Sequence, residues 1–344
     1  MANILLTSVC NRSCPYCFAE TEMAATTAAR RYMTWDNLIY IADFLKSGGQ
    51  HQVSLLGGEP TIHPDCVDYI LYLLERGFVV TVFTNGILSS SRLDQFRQCL
   101  ADVPLDRFHL LCNLHDPVLT PAPEREIKKI HEFLSIMGPW TSPGFNIYRT
   151  DFTLDFLFEH INRYGLKRYL RLGLTQPIPG MTNAFIRPDQ IRGVVARVFS
   201  YRDQFIASRV KPGFDCGFPV CRFADDEIGW LHRHGAPPSF ACGPAFDIAP
   251  DMSVYHCFPL SNYHRRSLFD FDSLQQVEEH FNTMRDPIKC EVQGIFKECD
   301  GCRQQEDGVC NGGGLCHAIS RFVQEAPIRL PEIEHEVAKI RLSQ

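Results

Sequence analysis

Cys10-Asn11-Arg12-Ser13-Cys14-Pro15-Tyr16-Cys17 sets three thiols within eight residues, close enough for one loop to wrap a cuboidal iron-sulfur cluster. No fourth cysteine stands near them in sequence. A structural zinc site normally completes four ligands, often as two separated CxxC pairs, so a compact triplet leaves one metal position open to bind a substrate directly. Zinc or reduced core cysteines are the alternatives for the same residues. The chain holds 15 cysteines, nine of them between Cys216 and Cys316, with only Cys66, Cys99 and Cys112 separating the two groups. That density is below a secreted disulfide scaffold, and metal ligation explains the clustering better than disulfides do.

The sequence around these residues is that of an ordinary globular protein. Of its 344 residues, 45% are hydrophobic and 22% charged, enough for one large domain with a smaller one appended. A net charge of -6 argues against a strongly basic nucleic-acid surface. The opening MANILLTSVC lacks a basic n-region, and no uncharged run approaches the length of a membrane span, so a cytoplasmic protein without membrane contact is expected.

Alternating elements are expected to position the triplet. Residues 3–7, 53–56, 78–83, 107–112, 145–148 and 169–174 read as buried parallel strands. Between the first two, Thr34 can cap a helix whose apolar residues Leu38, Ile41, Ala42 and Leu45 share one face before Gly48 and Gly49 end it. Val67, Ile70, Leu71 and Leu74 repeat the spacing before Gly77. Leu154, Leu157, Phe158 and Ile161 repeat it before Gly165. Right-handed βα crossovers of this length give a curled or doubly wound sheet, and six units suit a partial (β/α)6 TIM-like barrel. Ligands then gather where the loops after each strand converge, and the cysteine triplet follows the first strand. From about residue 210, Pro, Gly and Cys become frequent and helical periodicity fades until a stretch near 317–324. The expected division is residues 1–209 for the barrel and 210–344 for a metal-stapled region.

The C-x3-C-x2-C spacing, with an aromatic before the last cysteine, resembles the signature of the radical S-adenosylmethionine (SAM) superfamily. The resemblance implies that Cys10, Cys14 and Cys17 hold a 4Fe-4S cluster whose fourth iron chelates SAM, with Tyr16 among the cofactor-binding residues. One electron then cleaves SAM to methionine and a 5′-deoxyadenosyl radical that abstracts hydrogen from substrate. Gly57-Gly58-Glu59, after the second strand, resembles the family's GGE motif for the SAM amino group; a tight Gly-Gly-x-Pro loop is the structural alternative. Thr84-Asn85-Gly86 ends the third strand as TNG does in relatives, which makes Asn85 a candidate, although Asn-Gly is also a common turn. Asn113 and Arg171 stand where relatives use polar residues for the SAM ribose and carboxylate. Arg171 could equally form an ion pair at its strand end.

Cys242 and Cys257, with 14 residues between them, and Cys299-x2-Cys302-x7-Cys310-x5-Cys316 resemble the SPASM extension, which holds auxiliary iron-sulfur clusters. Met252 stands where that pattern expects glycine, so different backbone angles are expected at the turn. No cysteine follows Cys316, where the full pattern has one more. Two four-ligand clusters need eight cysteines, so Cys216 and Cys221 are the expected additions, with Cys290 as an apolar thiol or a further ligand. A shortened, twitch-like extension with one auxiliary cluster, and a zinc site at Cys299 and Cys302, are the alternatives.

The expected function is radical SAM modification of a peptide or protein side chain by crosslinking, epimerisation or dehydrogenation, with a reductant such as flavodoxin or ferredoxin. A dehydrogenase of a small molecule such as a sugar or aminocyclitol uses the same parts, and an iron-sulfur or zinc-binding interaction module is the non-enzymatic alternative. Because Cys10 lies near the start, a peptide substrate is expected to dock directly or with a separate leader-peptide-binding protein. His63, His115, His264 and Asp116 are lesser candidates for the cavity, each with a structural alternative, and no general base is assigned.

Overall fold

The computed structural model describes residues 2–20, 23, 31–100, 102–179, 183–215, 217–236, 240–243, 245–261 and 264–325. Six parallel strands follow one another in space as in sequence: β1 (Ala2–Thr7), β2 (Gln52–Gly57), β3 (Val79–Thr84), β4 (Phe108–Leu114), β5 (Thr141–Ile147) and β6 (Tyr169–Leu174). Each of the helices α1 (Trp35–Ser47), α2 (Cys66–Glu75), α3 (Ser90–Leu100), α4 (Glu124–Met137) and α5 (Asp155–Tyr164) fills one crossover. This is an α/β partial barrel.

Local chemistry starts and stops these elements where the sequence says. The Thr34 side chain accepts the Asn37 N–H at the start of α1, and Leu38, Ile41, Ala42 and Leu45 are buried along it. Gly165 ends α5 at φ 63°, a left-handed conformation that glycine adopts without a Cβ penalty. Along α2 the buried stripe runs through Cys66, Val67, Tyr69, Ile70 and Leu73, one position before the expected Leu71 and Leu74, which are only partly buried. In β3, Val80, Val82 and Thr84 are buried against the helices while Val79, Thr81 and Phe83 remain half-buried on the other face. That second face lines the barrel interior.

The sheet continues past six strands. After α6 (Ile191–Phe199) and α7 (Arg202–Ala207), β7 (Lys211–Phe214) adds a further parallel strand beside β6. On the opposite edge, β8 (Phe246–Ile248) pairs parallel with β1, and β9 (Ser253–His256) and β10 (Arg266–Ser267) follow antiparallel. The ten strands thus run β10-β9-β8-β1-β2-β3-β4-β5-β6-β7 in one sheet. An Asn3 side-chain N–H donates to Asp247 at 2.7 Å and fastens the C-terminal hairpin to the first strand.

The final helix lies where the sequence places it, but helices do not fade between residue 210 and that stretch as expected. Among the described residues this region contains α8 (Asp225–His234), α9 (Leu274–Glu291), α10 (Arg303–Glu306) and α11 (Leu315–Glu325). The pattern of α9 is masked because its buried contacts, Leu274, Val277, Phe281 and Ile288, form a narrow stripe in a polar segment that also contains Pro287. Among the described residues no helix is long and apolar enough to cross a membrane.

Candidate functional site

The cysteine loop leaves the end of β1 and is zipped to the loop after β2. Gly58 N–H donates to Thr7 O and Glu59 N–H to Val9 O, each at 2.8 Å. A Cβ on Gly57 would stand 2.3 Å from Thr7 O, and one on Gly58 2.4 Å from Val9 O, so both glycines are required for this close approach. Glu59 is buried. Its Oε1 accepts from Thr61 N–H, Thr61 Oγ1 and Thr84 Oγ1, and its Oε2 from Asn85 N–H at 2.7 Å. Burial pushes its pKa up against the pull of those donors. The Glu59 side chain therefore clamps the ends of β2 and β3. Asn85 extends the clamp by donating to Asn11 Oδ1 at 2.8 Å, while Asn11 donates to Ile87 O.

A cavity of about 640 Å³ opens at this loop, lined by Cys10, Cys14, Cys17, Arg12, Glu20 and Arg31 among others. Burial raises all three thiols, Cys10 to about 11 and Cys17 to about 12, so a metal must displace their protons to bind. Arg12, absent from the expected site, has a buried Nη1 without a hydrogen-bond partner. Its charge and, more strongly, burial push His115 down to about 3, which keeps that imidazole neutral. Asn113 in β4 likewise has a buried, unpartnered Oδ1. Gly144 in β5 makes room for it, since a Cβ there would lie 2.7 Å from that oxygen. Tyr16 is buried with its hydroxyl 3.3 Å from the His115 ring nitrogens and its ring tilted on Tyr148 at 4.9 Å.

The remaining candidates divide. Arg171 donates from Nε to Asp215 Oδ2 at 2.6 Å and from Nη1 to Asn146 Oδ1 at 3.1 Å, which is the ion-pair alternative. His63 is held by Met33 O and Asp65 N–H. Asp116 caps the following turn through Val118 and Leu119 N–H and binds Thr153, so it is a structural cap. His264 lies Nε2 to Nε2 at 2.6 Å from His280, beside the hairpin and α9.

Charge effects link the C-terminal cysteines in two neighbouring sets, and Lys289 feels one member of each, Cys242 and Cys310. Burial pushes the Cys257 thiol well up, with Asp247 and then Cys316 and Cys242 adding to it, and Leu315 N–H reaches Cys242 Sγ at 3.5 Å. Asn311 pairs with the Cys242 backbone in both directions, at 2.7 and 2.8 Å. Cys299 and Cys310 act in the same way on Cys221, where burial is again the larger cause. Cys302 follows Cys299 in a turn closed by its own N–H to Cys299 O at 3.2 Å. Cys290 is exposed. Cys216 lies outside the described residues; of its neighbours, Asp215 acts on Cys257 and Gly217 packs against Gln176, which accepts from Cys316 Sγ.

Residues 4–115 match the Radical SAM superfamily model. That segment, about a third of the chain, is similar to the radical SAM superfamily. Over 97 residues this chain is 35% identical to human Molybdenum cofactor biosynthesis protein 1, covering 28% of this chain and 15% of that protein. Over 87 residues it is 32% identical to the S-adenosylmethionine-dependent nucleotide dehydratase of Selenomonas ruminantium, covering 25% of this chain and 30% of that one. The chain thus spans less than a third of these curated relatives. Its fold resembles SuiB of Streptococcus suis, solved with S-adenosylmethionine, at a TM-score of 0.62 and 16% identity, covering 96% of this chain and 75% of SuiB. It also resembles anSMEcpe, solved with AdoMet, at 0.63 and 14% identity, with 100% of both chains covered.

A radical SAM domain implies a 4Fe-4S cluster and SAM, and the residues present fit them. Thiols are the donors such clusters take. Among the described residues no three His, Cys, Asp or Glu side chains close to the spacing of a single-ion site, whereas a cuboidal cluster separates its ligands onto different corners. The cavity is of cofactor size; Arg12 at its wall keeps a buried donor without a partner, and Asn113 on β4 a buried acceptor without one. The cysteine triplet was plain in the sequence. Arg12, Gly144 and Gln176 were not, because a single loop arginine, a strand glycine and a loop glutamine carry no spacing signal. An arginine locked between two cysteines of a cluster loop was the one available cue.

Proposed function

We propose that this chain is a radical SAM enzyme that abstracts hydrogen from a peptide or protein side chain, working in a reducing compartment such as the cytoplasm with a flavodoxin- or ferredoxin-type reductant. The observation that carries the reading is the cysteine loop seated at the strand ends, with Cys10, Cys14 and Cys17 lining one cavity together with Arg12, whose buried Nη1 has no partner. Bound there, the cluster and SAM supply reductive cleavage to a 5′-deoxyadenosyl radical. Cys10, Cys14 and Cys17 are the ligands. Gly57 and Gly58 bring the backbone flush with that loop, and Glu59 and Asn85 fix it against β3. Arg12 provides a cation for the SAM carboxylate and Asn113 an acceptor for its ribose hydroxyls. Arg171 supports the wall through Asp215 and Asn146.

Residues 210–344 serve in this reading as a SPASM-like extension with two auxiliary 4Fe-4S clusters. Cys242, Cys257 and Cys316 hold the first and Cys221, Cys299 and Cys310 the second, following their grouping. Cys216 and Cys302 are the proposed fourth ligands, which uses eight cysteines for two sites. Auxiliary clusters accept the electron left after hydrogen abstraction, which suits an oxidation.

A peptide substrate is favoured by the fold likeness to SuiB, which is also solved bound to the precursor peptide SuiA. The curated relatives give a second reading, a small-molecule substrate, since one of them is a GTP 3′,8-cyclase. Anaerobically reconstituted, reduced protein should convert SAM to 5′-deoxyadenosine, and Cys14→Ala should not. Deuterium transfer into 5′-deoxyadenosine from labelled peptides, compared with labelled nucleotides, sugars and aminocyclitols, then separates the substrate classes. Cleavage that persists in Cys14→Ala would remove the assignment, and label from a small molecule alone would remove the peptide.

A further inference from the structure

Gln176 lies in the loop that leaves β6, on the mouth side of the barrel, yet its side chain belongs to the first auxiliary cysteine group. It is 3% exposed. Its Oε1 accepts from Cys316 Sγ at 3.2 Å, its Nε2 donates to Leu174 O at 3.2 Å, and its backbone O accepts from Asn183 Nδ2 at 2.8 Å. Two glycines are shaped around the amide. A Cβ on Gly217, at φ 94°, would fall 2.3 Å from Nε2, and one on Gly314 would fall 2.9 Å from Oε1. The barrel loop, the segment after Asp215 and the segment before Cys316 therefore converge on one side chain.

The contact as it stands requires a protonated thiol. A sulfur bound to iron has lost its proton and can only accept, so the carbonyl side of the amide would face a charged acceptor. A half-turn of the terminal amide torsion, which is soft, presents N–H instead. That exchanges the bond to Leu174 O for a charge-assisted one to sulfur, the stronger kind. We propose that Gln176 is a positioning residue of the first auxiliary cluster, donating N–H to the Cys316 sulfur and raising the reduction potential of that cluster. Hydrogen bonds to cluster sulfurs stabilise the reduced, more negative state. Through this residue the loop at the substrate mouth and the electron acceptor share one hydrogen bond. The inference rests on the auxiliary-cluster reading above.

The test uses full-length protein carrying Cys14→Ala and Cys221→Ser, which leaves only the first auxiliary cluster, reconstituted anaerobically and titrated with dithionite under EPR. Into it go Gln176→Leu, which removes the amide, and Gln176→Glu, which keeps the shape but replaces the donor with a charge. Both should lower the midpoint, Leu by about tenfold in the reduced-to-oxidised ratio, or ~59 mV for one electron, and Glu by more. Gln176→Asn should not restore it, since the shorter side chain cannot reach. Unchanged midpoints with the cluster intact overturn the role of Gln176 and leave the auxiliary site standing. Absence of any cluster in the double-variant parent overturns both. Loss of iron from both Gln176 variants, with circular dichroism unchanged, would make Gln176 a ligand and overturn the hydrogen-bond role.

Discussion

Asn113 keeps an unpartnered oxygen inside the barrel only because the residue opposite it has no side chain. The Asn113 Cα partners Gly144 across the β4–β5 pair, and a methyl group on Gly144 would press on Oδ1 at 2.7 Å. Gly144→Ala should therefore turn the amide aside and weaken SAM binding about tenfold, or ~1.4 kcal/mol, without changing iron content. Asn113→Ala should cost a similar amount. The double variant should cost little more than either alone, because both substitutions remove one interaction. Equilibrium binding of SAM to the four proteins measures this, and additive losses would separate Gly144 from Asn113. None of this geometry could be read from residue types. The three cysteines announced themselves by spacing, whereas the use of Gly144 depends on cross-strand register. Glu59 was legible in position, but its four acceptor contacts with Thr61, Thr84 and Asn85 emerge only once β2 and β3 lie side by side.

Among elements, the strands read well where an apolar run is continuous and poorly where it is broken. β6 matches its expected bounds, while β5 begins at Thr141 and not at residue 145, because Pro143 and Gly144 interrupt the β signal. β7 is only Lys-Pro-Gly-Phe and has no run to detect. The turn between β8 and β9 departs from expectation in another way. Met252 keeps φ at 64°, the conformation a glycine would take, so the turn holds its shape and the side chain bears the strain. Burial offsets it, since Met252 is 2% exposed and Leu268 N–H binds its carbonyl at 2.8 Å. Left-handed backbone costs an L-residue about 1–2 kcal/mol, and deleting a buried methionine costs about 2–5 kcal/mol. Met252→Gly and Met252→Ala should both lower the urea midpoint, with Gly the more stable of the two by about 1 kcal/mol. An Ala variant as stable as the Gly variant would mean that the turn relaxes once the side chain is gone.

Across the whole molecule, the partition of the late cysteines was beyond the sequence, which supplied their number and spacing but not which loops meet. Cys221 joins Cys299 and Cys310 because the segment after β7 returns to the segment before α11. Cys257 joins Cys242 and Cys316 because the β8–β9 hairpin, fastened to β1 through Asn3 and Asp247, carries it there. Separate groups on separate supports should load and fail separately. Wild-type protein, reconstituted anaerobically, should hold about 12 irons per chain, and Cys221→Ser and Cys257→Ser about 8 each. Their combination should hold about 4, all in the N-terminal loop, and should still cleave SAM on reduction, since the cavity around Arg12 is made by other segments. Cys290→Ser should leave the count at its wild-type value, because that thiol belongs to neither set. Mössbauer spectra of the single variants should each lack one component of the wild-type spectrum, and a different one in each case. If Cys221→Ser and Cys257→Ser instead deplete the same component, the six cysteines serve one shared site and the extension is of the shorter, single-cluster kind.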